Sequence, residues 1–293
     1  MYLPTATATE QALLQGFLLG GLYALTALGL SLVLGVLRII NLAHGEFLIL
    51  GAFLGYYWLQ RTGVDPLLGL VVVAPVVAGV GFVVQRWALS PLVRHGDEPA
   101  LLTTFSLSII GQNLFIILFT ADSRLINRSY GFHALRIGAV SVPEIYLISF
   151  AAALVIFGAV HLLMQHTAFG RQVRASAEDP VAAAVVGVRV RRVHALTFAL
   201  AAGCAAIGGV LAGIAFSFDA TTGTSYLLTG FAVVVLGGLG SVAGTLGGGI
   251  VLGVVESVGA AVFGDGYLDF IGLMVFLVIL ALRPQGIFGW ARR

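Results

Sequence analysis

Long apolar runs alternate with short polar or arginine-rich stretches along the whole chain. A helix that crosses a bilayer needs about 20 largely apolar residues. Nine runs are candidate membrane segments: residues 11–35, 47–59, 66–89, 101–120, 145–164, 193–218, 227–239, 242–263 and 267–282. The runs 47–59 and 227–239 are too short to cross comfortably alone, and each borders a polar or glycine-rich break. The pattern predicts an all-α, polytopic bundle with about eight or nine membrane segments, including short broken helices, in a single domain over residues 1–293.

The composition places this bundle in a lipid bilayer. The chain is 59% hydrophobic and only 10% charged, with a mean hydropathy of +1.04. A soluble domain carries about 25% charged residues. The 39 glycines fit closely packed membrane helices, because small residues let helix backbones approach each other.

All 15 basic residues are arginine, since the chain contains no lysine. A Walker A loop and a Schiff-base lysine are therefore both excluded. If the protein uses ATP, another chain must bind it. The net charge of +2 is too small to indicate a nucleic-acid partner.

The sequence also disfavours chemistry within the membrane. It has no GxSxG or HExxH arrangement of a hydrolase. No carboxylate or second histidine stands at metal-ligand spacing from the histidines at 95, 133, 161 and 166, so neither a metal site nor a cofactor is expected. A carrier driven by ions or protons, or a passive channel, that acts alone stays an alternative, but this class favours a relay of buried acids that this chain barely supplies.

The arginines are grouped after three of the predicted spans, and this sets a direction. The groups are Arg86 and Arg94; Arg171, Arg174, Arg189, Arg191 and Arg192; and Arg283, Arg292 and Arg293. Cytoplasmic loops carry an excess of basic residues. With nine crossings, all three groups and the C-terminus are cytoplasmic if the uncharged N-terminus lies outside. The loop 121–144 then lies outside although it holds three arginines, at 124, 128 and 136.

A polar run from Arg38 to Glu46 separates the first two apolar segments. Polar side chains at membrane depth are costly and usually face a pathway or a partner. Asn41, His44 and Glu46 are therefore candidates for the substrate path, and a broken helix at Gly45 would offer free backbone groups there. Structural alternatives exist for each side chain. Asn41 caps the next helix, His44 makes a structural hydrogen bond, and Glu46 forms an ion pair with Arg38.

Three polar residues inside other spans are further candidates for the path: Gln112, Asn113 and Glu256. Gln112 and Asn113 can bind a polar solute, although hydrogen bonding between helices is the commoner use. Glu256 is expected to face the interior of the bundle, either in a structural pair or along the path. With so few ionisable groups, the path suits a neutral solute or an apolar zwitterion.

The cytoplasmic segment, about 166–192, carries the signals of a short helix. Asp179 suits the N-cap, Pro180 the first helical position and Gly187 the C-terminal stop. Glu178 and Asp179 are at the positive end of this helix. A helix of about two turns is not stable alone in water, and its exposed face is alanine and valine. It is expected either to lie at the lipid interface or to dock on a cytoplasmic partner.

Several motifs carry a family resemblance. They are GLSLVLGVLRIINLAHGE at 29–46, LTTFSLSII at 102–110, AFGR at 168–171, EDP at 178–180, FAVVVLGGLGSVAG at 231–244 and RPQGIFG at 283–289. With these motifs in consistent order from the first span to the C-terminus, the chain resembles the permease of branched-chain amino-acid ABC transporters, of the LivH type. Ser106 stands where that family commonly has glycine.

The resemblance implies a transport subunit of the bacterial inner membrane, not an enzyme. It implies a lipid-embedded complex with a second, related permease, two cytoplasmic ATPase subunits and an extracytoplasmic solute-binding protein. The segment around 178–187 then corresponds to the coupling helix that contacts an ATPase. The residues expected to serve coupling are Arg171, Arg174, Glu178, Asp179, Pro180 and Gly187. Related permeases import amides, urea or other small polar solutes, so the transported solute stays open between these and amino acids.

Overall fold

The computed structural model describes residues 6–92, 97–137, 140–283 and 286–287. Its helices, in chain order, are α1 (Ala6–Val36), α2 (His44–Thr62), α3 (Pro66–Val83), α4 (Asp97–Phe119), α5 (Ser129–Phe132), α6 (Glu144–His166), α7 (Ala168–Glu178), α8 (Pro180–Val185), α9 (Val190–Ala215), α10 (Gly223–Gly237), α11 (Val242–Phe263) and α12 (Leu268–Leu282). α3 continues through a π-helical turn, Val84–Leu89, into Ser90–Leu92, and a 3-10 turn, Asp265–Tyr267, precedes α12. Arg94, His95, Arg292 and Arg293, which were considered above, lie outside the described residues.

Six helices in the described ranges are long and apolar enough to cross a membrane. They are α1, α3 with its extension to Leu92, α4, α6, α9 and α11, while α10 and α12 are shorter apolar helices. α2, with 19 residues, is the ninth membrane segment beside these six long and two short helices. The predicted all-α bundle with about eight or nine membrane segments is therefore confirmed.

The loop between α4 and α6 contains regular structure that the hydrophobic pattern did not predict. β1 (Ala134–Ile137) and β2 (Val140–Pro143) pair in an antiparallel hairpin, with Leu135 opposite Val142. Short alternating runs with β-branched residues favour such strands. The hairpin gives this loop a defined position against the start of α1.

The centre of the bundle is formed by two helices. In α1, 89% of the best spanning window is buried, and in α9 the buried share is 78%. The corresponding share in α4 is only 11%, so this helix lies at the periphery. Its exposed surface is apolar, as expected for a helix that faces lipid or another membrane subunit.

Glycines let the central helices touch backbone to backbone. A Cβ atom built on Gly253 of α11 would lie 2.4 Å from the carbonyl oxygen of Gly16 in α1. A Cβ atom built on Gly249 would lie 2.6 Å from the carbonyl oxygen of Gly20. No side chain fits at such distances, so these glycines are required by the packing of α1 against α11.

One end of the bundle, here called the hairpin end, holds residues 63–65, 120–137 and 140–143. The Gln15 side chain of α1 donates from Nε2 to the carbonyl oxygen of Ser141 at 2.8 Å. The Tyr130 hydroxyl donates to Oδ1 of Asp65 at 2.9 Å. These bonds connect the loop between α4 and α6 to the starts of α1 and α3.

The opposite end, here called the arginine-rich end, holds residues 84–92, 166–192 and 238–241. Gly35 near the end of α1, Arg174 of α7 and Gly240 line one cavity there. The Arg174 guanidinium donates to the carbonyl oxygen of Met164, which fixes α7 beneath α6. The arginines at 86, 171, 174, 189, 191 and 192 lie at this end, and those at 124, 128 and 136 lie at the hairpin end. This is the separation that the arginine distribution predicted.

Arginines at the hairpin end are bound within the protein. The Arg124 guanidinium donates to the Tyr57 hydroxyl at 2.6 Å and lies 5.1 Å from the ring centre of Tyr56. Arg128 donates to the carbonyl oxygen of Gly63 at 2.8 Å and pairs with Asp65 at 4.0 Å. Because local partners hold both charges, these arginines are compatible with an outer loop despite the positive-inside rule.

Gly253→Ala is expected to destabilise the bundle, because its methyl group would overlap the α1 backbone. Overpacking of this kind costs about 1–3 kcal/mol. Gly158→Ala is the matched control, since a Cβ there meets nothing within 4 Å. Thermal unfolding of the purified chain in detergent measures both variants. A Gly253→Ala protein as stable as the Gly158→Ala protein would contradict the packing argument.

Candidate functional site

The first helix break returns the chain into the bundle. α1 ends at Val36, and α2 begins at His44, whose Nε2 lies 2.8 Å from the carbonyl oxygen of Thr26. Thr26 is in the middle part of α1, about 15 Å back along the helix axis from Val36. Residues 37–43 are therefore re-entrant, and α2 begins inside the bundle. The prediction of a broken backbone at Gly45 is wrong, because Gly45 is the second residue of α2 and the break precedes it.

The second helix break, between α9 and α10, also returns the chain into the bundle, but from the hairpin end. α9 ends at Ala215, and Phe218 then pairs with Arg124 at the hairpin end. Residues 219–222 lead back inward, and α10 begins at Gly223. A Cβ atom built on Gly45 would lie 2.0 Å from the carbonyl oxygen of Gly223. Two helices thus begin at the same point, and they run toward opposite ends of the bundle.

Such a meeting of helix starts has a definite electrostatic character. The first N–H groups of a helix have no partner within it, and the helix dipole places a positive partial charge there. In membrane transporters, interrupted helices use these ends to bind anionic groups of substrates. The starts of α2 and α10 therefore form a positive region that favours a carboxylate.

Glu46 places a carboxylate at this point. Its Oε1 accepts a hydrogen bond from the Ser108 hydroxyl of α4 at 3.0 Å. The same oxygen would lie 3.3 Å from a Cβ atom built on Gly223. Glu46 is only 6% exposed, and its Oε2 has no hydrogen-bond partner among the described residues. One oxygen is bonded to Ser108, and the other is buried without a hydrogen-bond partner among the described residues.

A second polar bond joins α4 to α10 beside Glu46. The Gln112 side chain donates from Nε2 to the Thr224 hydroxyl at 3.0 Å. Gln112 follows Ser108 by one helical turn, so both project from the same face of α4. We call this set the helix junction: Gly45, Glu46, Ser108, Gln112, Gly223 and Thr224.

The expected ion pair between Glu46 and Arg38 is wrong. Arg38 is exposed and has a positive φ of 55°. Glu46 lies in the first turn of α2, where its side chain faces Ser108 instead. The re-entrant segment separates the two charges, and spacing along the sequence did not reveal this.

Asn41 and His44 hold the re-entrant segment in place. Asn41 Oδ1 accepts from the Ala43 N–H at 3.2 Å, in a turn that precedes α2. His44 is bonded to Thr26 and only 2% exposed. The structural hydrogen bond of His44 is therefore confirmed, whereas Asn41 does not cap α2, because Ala43 is the N-cap and no side chain caps the helix. A role of either residue in the path stays a prediction.

Two other candidates lie away from the helix junction. Asn113 is exposed on the outer face of α4 and donates to the carbonyl oxygen of Ile109 at 2.8 Å. Glu256 of α11 is hydrogen-bonded to Tyr23 and packs against Gly272 of α12. The structure therefore brings together Gly45, Glu46 and Gln112, but not these two. Ser108, Gly223 and Thr224 were missed, although the position of Ser108 one turn before Gln112 was a usable signal.

The helix predicted after Asp179 is confirmed as α8. Asp179 Oδ1 accepts from the N–H groups of Val181 at 2.8 Å and Ala182 at 3.0 Å. Pro180 is its first residue, and Gly187 follows it with a φ of 89°. Val181 and Val185 are 73% and 84% exposed, respectively. α8 therefore offers an apolar surface that nothing in the described chain covers.

The residues of α7 hold α8 in position. Gly170 allows close contact with the end of α6, because a Cβ there would lie 2.1 Å from the carbonyl oxygen of Met164. Arg174 is bonded to the same carbonyl oxygen, while Arg171 and Glu178 are exposed. The structure places all six predicted coupling residues on one connected surface segment.

Comparison with known proteins identifies the family. The model of the family "Branched-chain amino acid transport system / permease component" matches residues 12–282. The chain belongs to this permease family. The permease is 32% identical over 295 residues to the high-affinity branched-chain amino acid transport system permease protein BraD of Pseudomonas aeruginosa, with 95% of each chain covered.

Two further relatives agree with this assignment. The permease is 30% identical over 300 residues to the permease protein LivH of Escherichia coli K12, with 95% of each chain covered. It is 28% identical over 295 residues to the probable LivH of Methanocaldococcus jannaschii, with 96% of this chain and 93% of that protein covered. No solved structure matches the permease. Family and apolar helices together make it a multi-pass protein of the bacterial inner membrane.

Gly45→Ala is expected to damage the permease more than Gly223→Ala. The Cβ at position 45 would lie 2.0 Å from a backbone oxygen, whereas the Cβ at 223 would lie 3.1 Å from the nearest atom. The first overlap forces the helices apart, at a cost of about 1–3 kcal/mol, and small shifts relieve the second. Thermal stability in detergent and solute uptake after reconstitution measure both effects. Equal losses in the two variants would contradict this geometry.

Proposed function

We propose that the permease is the membrane subunit of an ATP-driven importer for branched-chain or related amino acids, and that the helix junction lies on its translocation path. The named relatives support the solute class. The observation that carries the proposal is the meeting of two helix starts inside the bundle, beside a carboxylate with one unbonded oxygen.

This arrangement suits an amino-acid zwitterion. The positive starts of α2 and α10 attract the substrate carboxylate. Oε2 of Glu46, which is buried here without a described hydrogen-bond partner, accepts a hydrogen bond from the substrate ammonium group when the path opens to it. An apolar side chain meets no further charge there, because no other ionisable residue belongs to the helix junction. The site thus binds the zwitterionic part that all amino acids share, and a separate binding protein supplies most of the selectivity.

Energy reaches the bundle from partner subunits through α8. The proposed complex contains two cytoplasmic ATPases, a second related permease and an extracytoplasmic solute-binding protein. The exposed valines of α8 dock on an ATPase, and α7 passes its movement to α6 through the contacts at Met164. The bundle then alternates between two states that open at opposite ends. The binding protein delivers substrate at the hairpin end, and both the arginine-rich end and the C-terminus are cytoplasmic.

Glu46→Gln is expected to weaken leucine uptake by the reconstituted complex without changing its assembly. The amide keeps the shape of the side chain but loses the charge that favours an ammonium group. Hydrogen bonds to charged groups contribute about 1.5–3 kcal/mol, so the apparent affinity should fall roughly 10- to 100-fold.

The matched control for this variant is Glu10→Gln, which removes an exposed carboxylate at the start of α1. Radiolabelled leucine uptake into proteoliposomes, with urea and acetamide as competitors, measures affinity and solute class together. Unchanged leucine uptake by Glu46→Gln, or equal competition by the amides, would sink the proposed role of the helix junction.

Gly187→Val is expected to reduce solute-stimulated ATP hydrolysis while leaving membrane insertion intact. At a φ of 89° a β-branched residue is strained, so the end of α8 must change. Gly264→Val is the matched control, since Gly264 has a φ of 97° and a Cβ there meets nothing within 4 Å, but it lies at the hairpin end. ATP hydrolysis and recovery of the ATPases with the purified permease are the measurements. Normal coupling in Gly187→Val would contradict docking through α8.

The orientation of the permease in the membrane is tested with two cysteine variants, Val185→Cys and Leu135→Cys. Residue 185 is 84% exposed at the arginine-rich end, and residue 135 is 46% exposed on the hairpin. In intact cells an impermeant maleimide should label only the Leu135→Cys protein. Labelling of Val185→Cys from outside would reverse the proposed orientation.

A further inference from the structure

A basic groove lies at the arginine-rich end, between the end of α3 and the start of α9. It encloses about 840 Å³. Its walls include Phe82, Arg86, Trp87, Arg189, Arg191 and Arg192. Trp87 is 78% exposed, so a large aromatic ring stands free beside four cationic side chains.

The four arginines of this groove have no anionic partner in the described chain. None of them forms an ion pair or a side-chain hydrogen bond with a described residue, and no carboxylate lines the groove. At the hairpin end, by contrast, Arg124 and Arg128 are bound by local groups. Four unpaired guanidinium groups close together repel one another, so this groove is complementary to an anion.

A second, apolar groove lies in the membrane-spanning part, toward the middle of the bundle from the basic one. It encloses about 440 Å³ between α3, α6 and α9, and its lining includes Ala78, Val160, Leu200 and Gly203. On α3, Ala78 stands one turn before Phe82 of the basic groove. On α9, Arg192, Leu196 and Leu200 follow one another at successive turns. Leu196, which stands between the lining residues Arg192 and Leu200 on α9, is 38% exposed.

The combined length matches one leaflet of a bilayer. Ala74, at the inner limit of the apolar groove on α3, and Arg86 are separated by about 18 Å along the helix axis. Half of the hydrocarbon core of a bilayer is about 15 Å thick. An aromatic ring beside arginines marks the depth of the lipid headgroups. The basic groove is thus at headgroup depth and the apolar groove at acyl-chain depth.

We propose that the two grooves together hold one anionic phospholipid of the leaflet at the arginine-rich end. Its phosphate and headgroup lie among the four arginines, and one acyl chain fills the apolar groove. Basic pockets between membrane helices are known to bind anionic lipid headgroups. A soluble partner reaches the arginines but not the apolar groove, so a lipid is the occupant that fits both. Because Ala184 of α8 also lines the basic groove, the bound lipid contacts the docking helix.

The test is a lipid titration of the purified, full-length permease in detergent, followed by native mass spectrometry. Phosphatidylglycerol should be retained in preference to phosphatidylcholine of the same acyl composition. The double variant Arg86→Gln/Arg192→Gln should bind phosphatidylglycerol roughly 30-fold more weakly, from about fivefold per arginine. Arg61→Gln/Arg136→Gln is the matched control, because it removes two exposed charges at the hairpin end, and it should bind as the wild type does.

A second variant tests the apolar part independently of charge. Gly203→Leu should fit, because a Cβ there would lie 3.4 Å from its nearest neighbours, and its side chain then fills the apolar groove. Retention of phosphatidylglycerol should fall, while thermal stability without lipid should not.

Four results would overturn the lipid proposal: equal retention of the two lipids, equal losses in both double variants, full retention by Gly203→Leu, or displacement of the lipid by millimolar inorganic phosphate. Loss of ATPase recovery in the Arg86→Gln/Arg192→Gln variant with lipid retention unchanged would assign the groove to a protein and also refute it. The titration uses no ATPase and no transported solute, so its outcome is independent of the proposed import function.

Discussion

Direct backbone contact at glycine is the constraint on which the rest of this structure depends. In lipid, apolar side chains gain little by leaving one hydrocarbon surface for another, so helix association relies on close packing. Gly16, Gly20, Gly249 and Gly253 bring α1 and α11 to within contact of their main chains. This packing leaves α1 almost completely buried. The re-entrant segment 37–43 is then held against α1 by the bond between His44 and Thr26.

The same constraint makes the helix junction possible. A helix that starts inside a membrane must find partners for its first N–H groups outside the helical pattern. Here the N–H groups of His44, Glu46 and Thr224 donate to carbonyl oxygens three residues earlier. The absence of a Cβ at Gly45 and Gly223 allows the two helix starts to meet directly. Their positive ends then favour a carboxylate, and the Ser108 hydroxyl fixes Glu46 between them. The proposed binding site therefore depends on Gly45 and Gly223, as the packing of α1 against α11 depends on its own glycines.

The two ends of the permease use their charges differently. At the hairpin end the charges of Arg124 and Arg128 are satisfied within the loop, which shapes this surface and leaves little free charge. At the arginine-rich end the cations of the basic groove have no anionic partner among the described residues, and α8 exposes valines beside them. Unsatisfied charge and uncovered apolar surface are concentrated at one end, where membrane lipid and partner subunits are expected to supply the missing contacts.

The sequence by itself determined the parts of the molecule that local rules govern. The apolar runs set the membrane segments, because length and hydropathy decide which helices can cross a bilayer. Asp179, Pro180 and Gly187 set the ends of α8, because caps act within a few residues of the chain. The grouping of the arginines predicted which loops lie at the same end of the bundle. Each of these signals lies within one segment and needs no knowledge of its neighbours.

Only the tertiary structure decided which segments meet. Gly45 was expected at a break and lies inside α2, Glu46 contacts Ser108 instead of Arg38, and Glu256 lies beside Tyr23, away from the helix junction. These positions depend on the depth to which residues 37–43 and 219–222 re-enter the bundle. That depth is fixed by contacts with α1 and between the two re-entrant helices. The partners stand far apart in the chain, and no periodicity or spacing within a single segment records them.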